Sequence, residues 1–131
     1  MVCLDTDFLV ALLRMDPVAR SKLAALDREG AEVCTTPISA CELFEGVYLS
    51  AKQNEAMIRV KGLLARLDIL EFDLAASELF GRLSVDLKKN GMGIEDFDIA
   101  IASMAASRRE VLITRNRKHF SRIEGLLIDS W

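Results

Sequence analysis

Apolar positions along this chain fall into short blocks with abrupt polar ends. Val2-Cys3-Leu4, Val33-Cys34, Val111-Leu112-Ile113 and Leu126-Leu127-Ile128 are unbroken apolar runs rather than alternating ones. Such runs predict strands buried on both faces, as in parallel sheets. Asp68-Ile-Leu-Glu-Phe72 is more polar and predicts a fifth, exposed strand.

Helical periodicity fills the intervals. Lys52 to Leu67 places Ala56, Met57, Val60, Leu63, Leu64 and Leu67 on one face. Asp73 caps a helix with Leu79, Phe80, Leu83 and Leu87 inward, closing on Lys88-Lys89 and Asn90-Gly91. Asp16-Pro17 and Thr36-Pro37 each join a capping side chain to a proline at the first helical position. They predict helices reaching about Glu29 and Leu49. Thr6 and Asp7 predict the cap of a short helix from Phe8 to Leu13. Asp96 to Ser107 is small and apolar almost throughout, which predicts a buried helix with Asp96 as its cap. Arg115 to Arg122 reads as a basic turn and short helix.

Strands alternating with helices imply a parallel sheet with helices on both faces and right-handed crossovers. With 131 residues, the chain is expected to form one domain, 1–131. The 51 % of hydrophobic residues is high for such a domain and predicts buried helices or an oligomer interface. A net charge of −3 excludes a uniformly basic nucleic-acid coat but not a local basic patch. No apolar run has the length of a membrane span and no signal peptide precedes the first strand, so a cytoplasmic protein is expected. Cys3, Cys34 and Cys41 form no metal or redox spacing and read as small core residues.

Chemistry enters through the ends of the strands. In open parallel sheets, ligands bind at the carboxyl edge. Asp5 ends the first strand there, unless its task is only to cap the following helix. Glu42 lies in the second turn of the helix from Thr36, whose start is at that edge. It shares a stripe with Ile38, Glu45, Gly46 and Leu49, so a solvated stripe is the bland alternative. Asp98 lies in the first turn of a helix starting at the same edge, where a partner for the helix dipole is the bland alternative. Carboxylates ~5 Å apart repel by roughly 3 kcal/mol per pair at an effective dielectric near 20, so three would cost on the order of 10 kcal/mol. A hard cation, Mg²⁺ or Mn²⁺, relieves that cost, and all-oxygen ligands favour it over zinc. Beside the acids, Thr114-Arg115-Asn116-Arg117-Lys118-His119 suits a phosphodiester backbone, with His119 as a packing or substrate-side residue.

These segments occur in the order seen in PIN-domain nucleases. Leu-Asp5-Thr-Asp, Glu42-Leu-Phe-Glu-Gly46, Ile-Glu-Asp-Phe-Asp98-Ile-Ala-Ile-Ala and Thr114-Arg-Asn116-Arg-Lys-His-Phe120 resemble that family, and VapC-type toxins of toxin–antitoxin pairs most. The resemblance spans nearly the whole chain. It implies a three-layer α/β/α domain with a central five-stranded parallel sheet. It also implies a Mg²⁺-dependent endoribonuclease, with Mn²⁺ able to substitute, acting as the toxin of a type II pair. Carried over, Asp5, Glu42 and Asp98 are the catalytic acids and metal ligands, with Asp96 assisting through water. Thr114, Arg115, Asn116, Arg117 and Lys118 are then the substrate-binding group. Partners implied are RNA, a cognate antitoxin and a second copy of the chain in a homodimer. The mechanism implied is hydrolysis, in which water attacks phosphorus in line while the acids hold the ion and orient that water. Asp7 and Asn116 depart from the commonest family pattern.

Two other readings compete. Asp5-Thr-Asp7 also resembles the nucleophile loop of haloacid-dehalogenase-type phosphatases, but that reading leaves Glu42 without a role. A catalytically idle PIN-like module that only binds RNA or protein has no physical reason to retain clustered acids.

Overall fold

The computed structural model describes residues 1–131. Five parallel strands alternate with seven helices. In chain order these are β1 (Val2–Leu4), α1 (Thr6–Leu13), α2 (Pro17–Arg28), β2 (Val33–Thr35), α3 (Pro37–Leu49) and α4 (Gln53–Leu64). Then follow β3 (Asp68–Ile69), α5 (Leu74–Lys89), α6 (Asp96–Ser107), β4 (Val111–Ile113), α7 (Arg117–Phe120) and β5 (Leu127–Asp129). The sheet order is β3-β2-β1-β4-β5. β1 is central, with Cys3 opposite both Cys34 and Leu112. The chain winds outward one way through β2 and β3, then crosses back to β4 and β5. The reversal leaves a crevice at the carboxyl ends of β1 and β4, where ligands bind in such sheets.

The two-residue period of the strands divides the core. Cys3, Cys34 and Leu112 face one layer, with Ala76, Leu83, Leu87, Ile99, Ala102, Met104 and Phe120 packed on them. Leu4 and Ile113 face the other, built with Phe8, Leu9, Ala19, Leu26, Leu43, Val47 and Val60. The domain is therefore the expected three-layer α/β/α sandwich around a five-stranded parallel sheet. No helix is long and apolar enough to cross a membrane.

Several local expectations are corrected. α1 begins at Thr6, not Phe8, and Asp5 is its N-cap, accepting from the Thr6 N–H at 2.7 Å. Asp96 does not cap α6: Glu95 holds that position and makes no side-chain cap bond, and Asp96 is exposed in the first turn. β3 stops at Ile69 because the chain beyond pairs with nothing after the Leu70 N–H meets the Thr35 carbonyl. Cys41 is exposed, whereas Cys3 and Cys34 are buried as expected.

Candidate active site

Each acid reaches the crevice from a different element. Asp5 follows β1 directly, and its backbone N–H still donates to the Ile113 carbonyl, so the sheet sets its position. It is 5 % exposed. Its two oxygens are both engaged: Oδ1 accepts from the Thr6 N–H, and Oδ2 accepts from the Thr114 hydroxyl at 2.7 Å. Capping and site membership, posed as alternatives by the sequence, coexist in one side chain.

α3 starts at the same edge because β2 runs into it. Thr36 caps it by accepting from the Ser39 N–H, and Pro37 occupies its first position. One turn on, Glu42 Oε1 accepts from the Thr6 hydroxyl at 2.9 Å, and that hydroxyl lies 2.9 Å from the Ser39 hydroxyl. Glu42 is exposed along with Glu45, Gly46 and Leu49, as the bland reading expects of the stripe. Glu42 sits at its inner end, tied to α1. Asp98 stands half-buried in the first turn of α6, above the fully buried Ala102 and Ala105.

Asp5, Asp7, Glu42, Asp98 and Asn116 line one open cleft of about 560 Å³, with Arg14 and Arg115 on its margin. Burial pushes Asp5 up to about 7, with the Asp7 charge adding to it against the Thr114 and Thr6 hydrogen bonds. Burial raises Glu42 and Asp98 as well; the Thr6 bond opposes the first and His119 the second. Asp7 Oδ1 is buried without a hydrogen-bond partner, while its Oδ2 accepts from the Arg115 N–H at 3.3 Å. No three Asp, Glu, His or Cys side chains stand close enough together in this structure to hold a metal ion as a group. An orphaned carboxylate oxygen beside a carboxyl held near neutrality nonetheless fits a hard divalent ion. Mg²⁺ uses one or two carboxylates and keeps several waters, so it needs no closed cage.

The basic segment behaves less uniformly than expected. Thr114 is fully buried and unavailable to substrate, which corrects that assignment; its hydroxyl holds Asp5. Arg115 lies 3.5 Å over the Trp131 ring, and its Nε donates to the Trp131 carbonyl at 2.8 Å. Arg117 and Lys118 are exposed on α7. His119, expected among packing or substrate-side residues, stands at the acids instead: its Nδ1 is 3.4 Å from Asp98 Oδ2. Its position three residues after Asn116, on a turn following a site strand, was the only sequence signal for this. Asp96 makes no hydrogen bond to the acids.

A doubly wound α/β domain with a carboxylate cluster at its topological switch point defines a class: α/β/α domains with an acidic centre suited to a divalent ion. Within that class the chain belongs to the PIN-domain family, whose model matches residues 2–126. It is 31 % identical over 99 residues to the tRNA(fMet)-specific endonuclease VapC of Salmonella typhimurium, covering 76 % of this chain and 75 % of that one. It is 27 % identical over 128 residues to the protein of the same name from Shigella flexneri, covering 98 % and 96 %. Among solved structures it is similar to VapBC2 from Rickettsia felis bound to a DNA fragment from its promoter. That match has a TM-score of 0.92 at 28 % identity, covering 100 % of this chain and 99 % of that one.

Proposed function

We propose that this chain is a divalent-metal-dependent endoribonuclease and the toxin of a type II toxin–antitoxin pair, with Mg²⁺ the working ion and Mn²⁺ able to replace it. The observation that carries this is the convergence of Asp5, Glu42 and Asp98 from β1, α3 and α6 on one cleft beside the orphaned Asp7 oxygen. Asp5 and Asp98 are the direct ligands in this reading. When bound, the ion supplies charge neutralisation at the phosphoryl oxygens and acidifies water. The chain's own residues do the rest. Thr114 and the Thr6 N–H orient Asp5. Glu42, held at Oε1 by Thr6, directs the attacking water and takes its proton. Arg117 and Lys118 hold flanking phosphates, with Arg115 at the cleft margin and Asn116 in its lining.

The phosphatase reading leaves Glu42 idle and finds no support in the family match. The idle-module reading does not account for three carboxyls held at raised proton affinity. The similar VapBC complexes support an antitoxin as partner, and a homodimer and a cytoplasmic setting belong to the same reading.

Cleavage of a generic RNA in Mg²⁺ or Mn²⁺ tests it. Parent protein should cut, and chelation should stop cutting. Asp98→Asn should be inactive with its fold intact. Asp96→Asn, altered only at an exposed residue, should keep activity. An inactive Asp96→Asn beside an active Asp98→Asn would place the centre on the wrong face of α6.

A further inference from the structure

The segment after β4 links the two acids taken above as direct ligands. The Thr114 hydroxyl donates to Asp5, and the Asn116 backbone N–H donates to that same hydroxyl at 3.0 Å. The Asn116 side-chain amide lies 3.1 Å from His119 Nδ1, which in turn lies 3.4 Å from Asp98 Oδ2. One short stretch of chain thus connects the acid ending β1 to the acid opening α6. Both ends are anchored: Phe120, next to His119, is fully buried, and Ile99, next to Asp98, is 1 % exposed.

We propose that His119, braced by Asn116, is a positioning residue that holds the Asp98 carboxylate in the cleft through its Nδ1–H; this rests on the nuclease reading above. The proton arrangement follows from counting donors. A bare Nδ1 would accept from the Asn116 amide and turn its lone pair toward the Asp98 oxygen, which repels it. A protonated Nδ1 donates to Asp98, and Asn116 then presents its carbonyl oxygen after an amide flip that leaves the heavy atoms in place. With Asp98 ionised, the second arrangement is the one without facing lone pairs: the single Nδ1–H is shared between the Asp98 oxygen and the Asn116 carbonyl. Hydrogen-bond partners behind metal-binding groups fix ligand orientation in this way. The Nε2 edge of the ring takes no part, and no proton transfer by His119 is required.

The chain has one histidine, so its ring can be read without assignment ambiguity. In the metal-free protein, above neutral pH, nitrogen–proton correlation spectra should show the Nδ1–H tautomer. His119→Ala should weaken Mn²⁺ binding, measured by electron paramagnetic resonance, by about ten- to a hundredfold. It should also lower kcat while leaving KM for RNA unchanged. His119→Asn puts an N–H near the Nδ1 position and should recover most of both. His119→Gln, which mimics Nε2, should not. An Nε2–H tautomer overturns the proposal. So does a His119→Ala protein that binds Mn²⁺ like the parent, or one with raised KM and unchanged kcat, which would mean contact with RNA. A parent that binds no Mn²⁺ sinks the metal site itself and this role with it, an outcome distinct from equal binding by parent and variant.

Discussion

Asp5 carries competing demands in one carboxyl group. It caps α1, accepts from Thr114, and sits among other carboxylates in a nearly water-free position. Its proton affinity gives a stability signature with a definite sign. Unfolded, it titrates near 3.9; folded without metal, it titrates at about 7. Below the lower value both states hold the proton and stability is greatest. Between the two values only the folded state holds it, so stability falls as pH rises and levels off above about 7. A rise of about three pH units corresponds to on the order of 4 kcal/mol. Glu42 and Asp98 are raised too and act in the same direction. In chelator, Tm should therefore drop as pH is raised from about 4 to about 7. Asp5→Asn, which can still cap, should flatten most of that slope. Mn²⁺ competes with the proton, so its stabilisation should grow across the same interval. An unchanged slope in Asp5→Asn would show that its carboxyl is not the buried, proton-holding group.

At this scale the sequence identified the three acids correctly as residues at one sheet edge, because strand ends and helix starts can be read from pattern. It misjudged Thr114 and Cys41, since burial of a single side chain depends on what packs over it. Thr114 lies beneath the site and Cys41 on the solvent side of α3.

Helix termini show how much an element owes to local chemistry. Asp16, Thr36 and Asp73 cap α2, α3 and α5 through their side chains, as the sequence predicts. Asp73 has a second partner: its Oδ2 accepts from Arg108, just past α6, at 3.1 Å. The same guanidinium donates to the Glu71 carbonyl at 2.8 Å. The start of α5 and the end of α6 are thus pinned together, far from the acids along α6. Asp73→Ala should cost about 1 kcal/mol for the cap, with less than that again for the partly exposed ion pair. Urea or thermal melts should show that loss with RNA cleavage unchanged. Asp73→Asn should keep most of the cap. At the start of α6 the position is reversed. Asp96 makes no cap, so Asp96→Ala should cost only the dipole contribution of about 0.3–1 kcal/mol.

For the whole molecule, the high apolar content predicts buried helices or an oligomer interface. The structure redistributes it. Ile101 is 1 % exposed because α6 is wrapped by the sheet and α5, so the apolarity of that helix is accounted for inside one chain. Exposed apolar side chains instead stand at Tyr48 and Leu49 ending α3, and at Ile69, Phe72 and Leu74 around β3. Leu49 and Leu74 are 81 % and 85 % exposed. A homodimer remains the expectation, now on these surfaces. Sedimentation at micromolar concentration should find a dimer, and Leu74→Lys with Leu49→Lys should shift it toward monomer. A monomeric parent would remove the homodimer from the proposed function.

Element types, their order and the caps of α2, α3 and α5 were determined by the sequence alone. They depend on periodicity, proline placement and side chains that bond within a turn, all of which act over a few residues. The arrival of Asp5, Glu42 and Asp98 at one edge was also legible, because the handedness of crossovers leaves parallel strands one way to be joined. What only the tertiary structure decided is how those acids are held. Thr6 meets Glu42, Thr114 meets Asp5 and His119 meets Asp98 across separations of many residues. Such contacts form at distances of 2.7 to 3.4 Å, set by the packing of whole layers. No local pattern encodes a separation that small between segments that far apart, and the same packing sets the proton affinity of each acid.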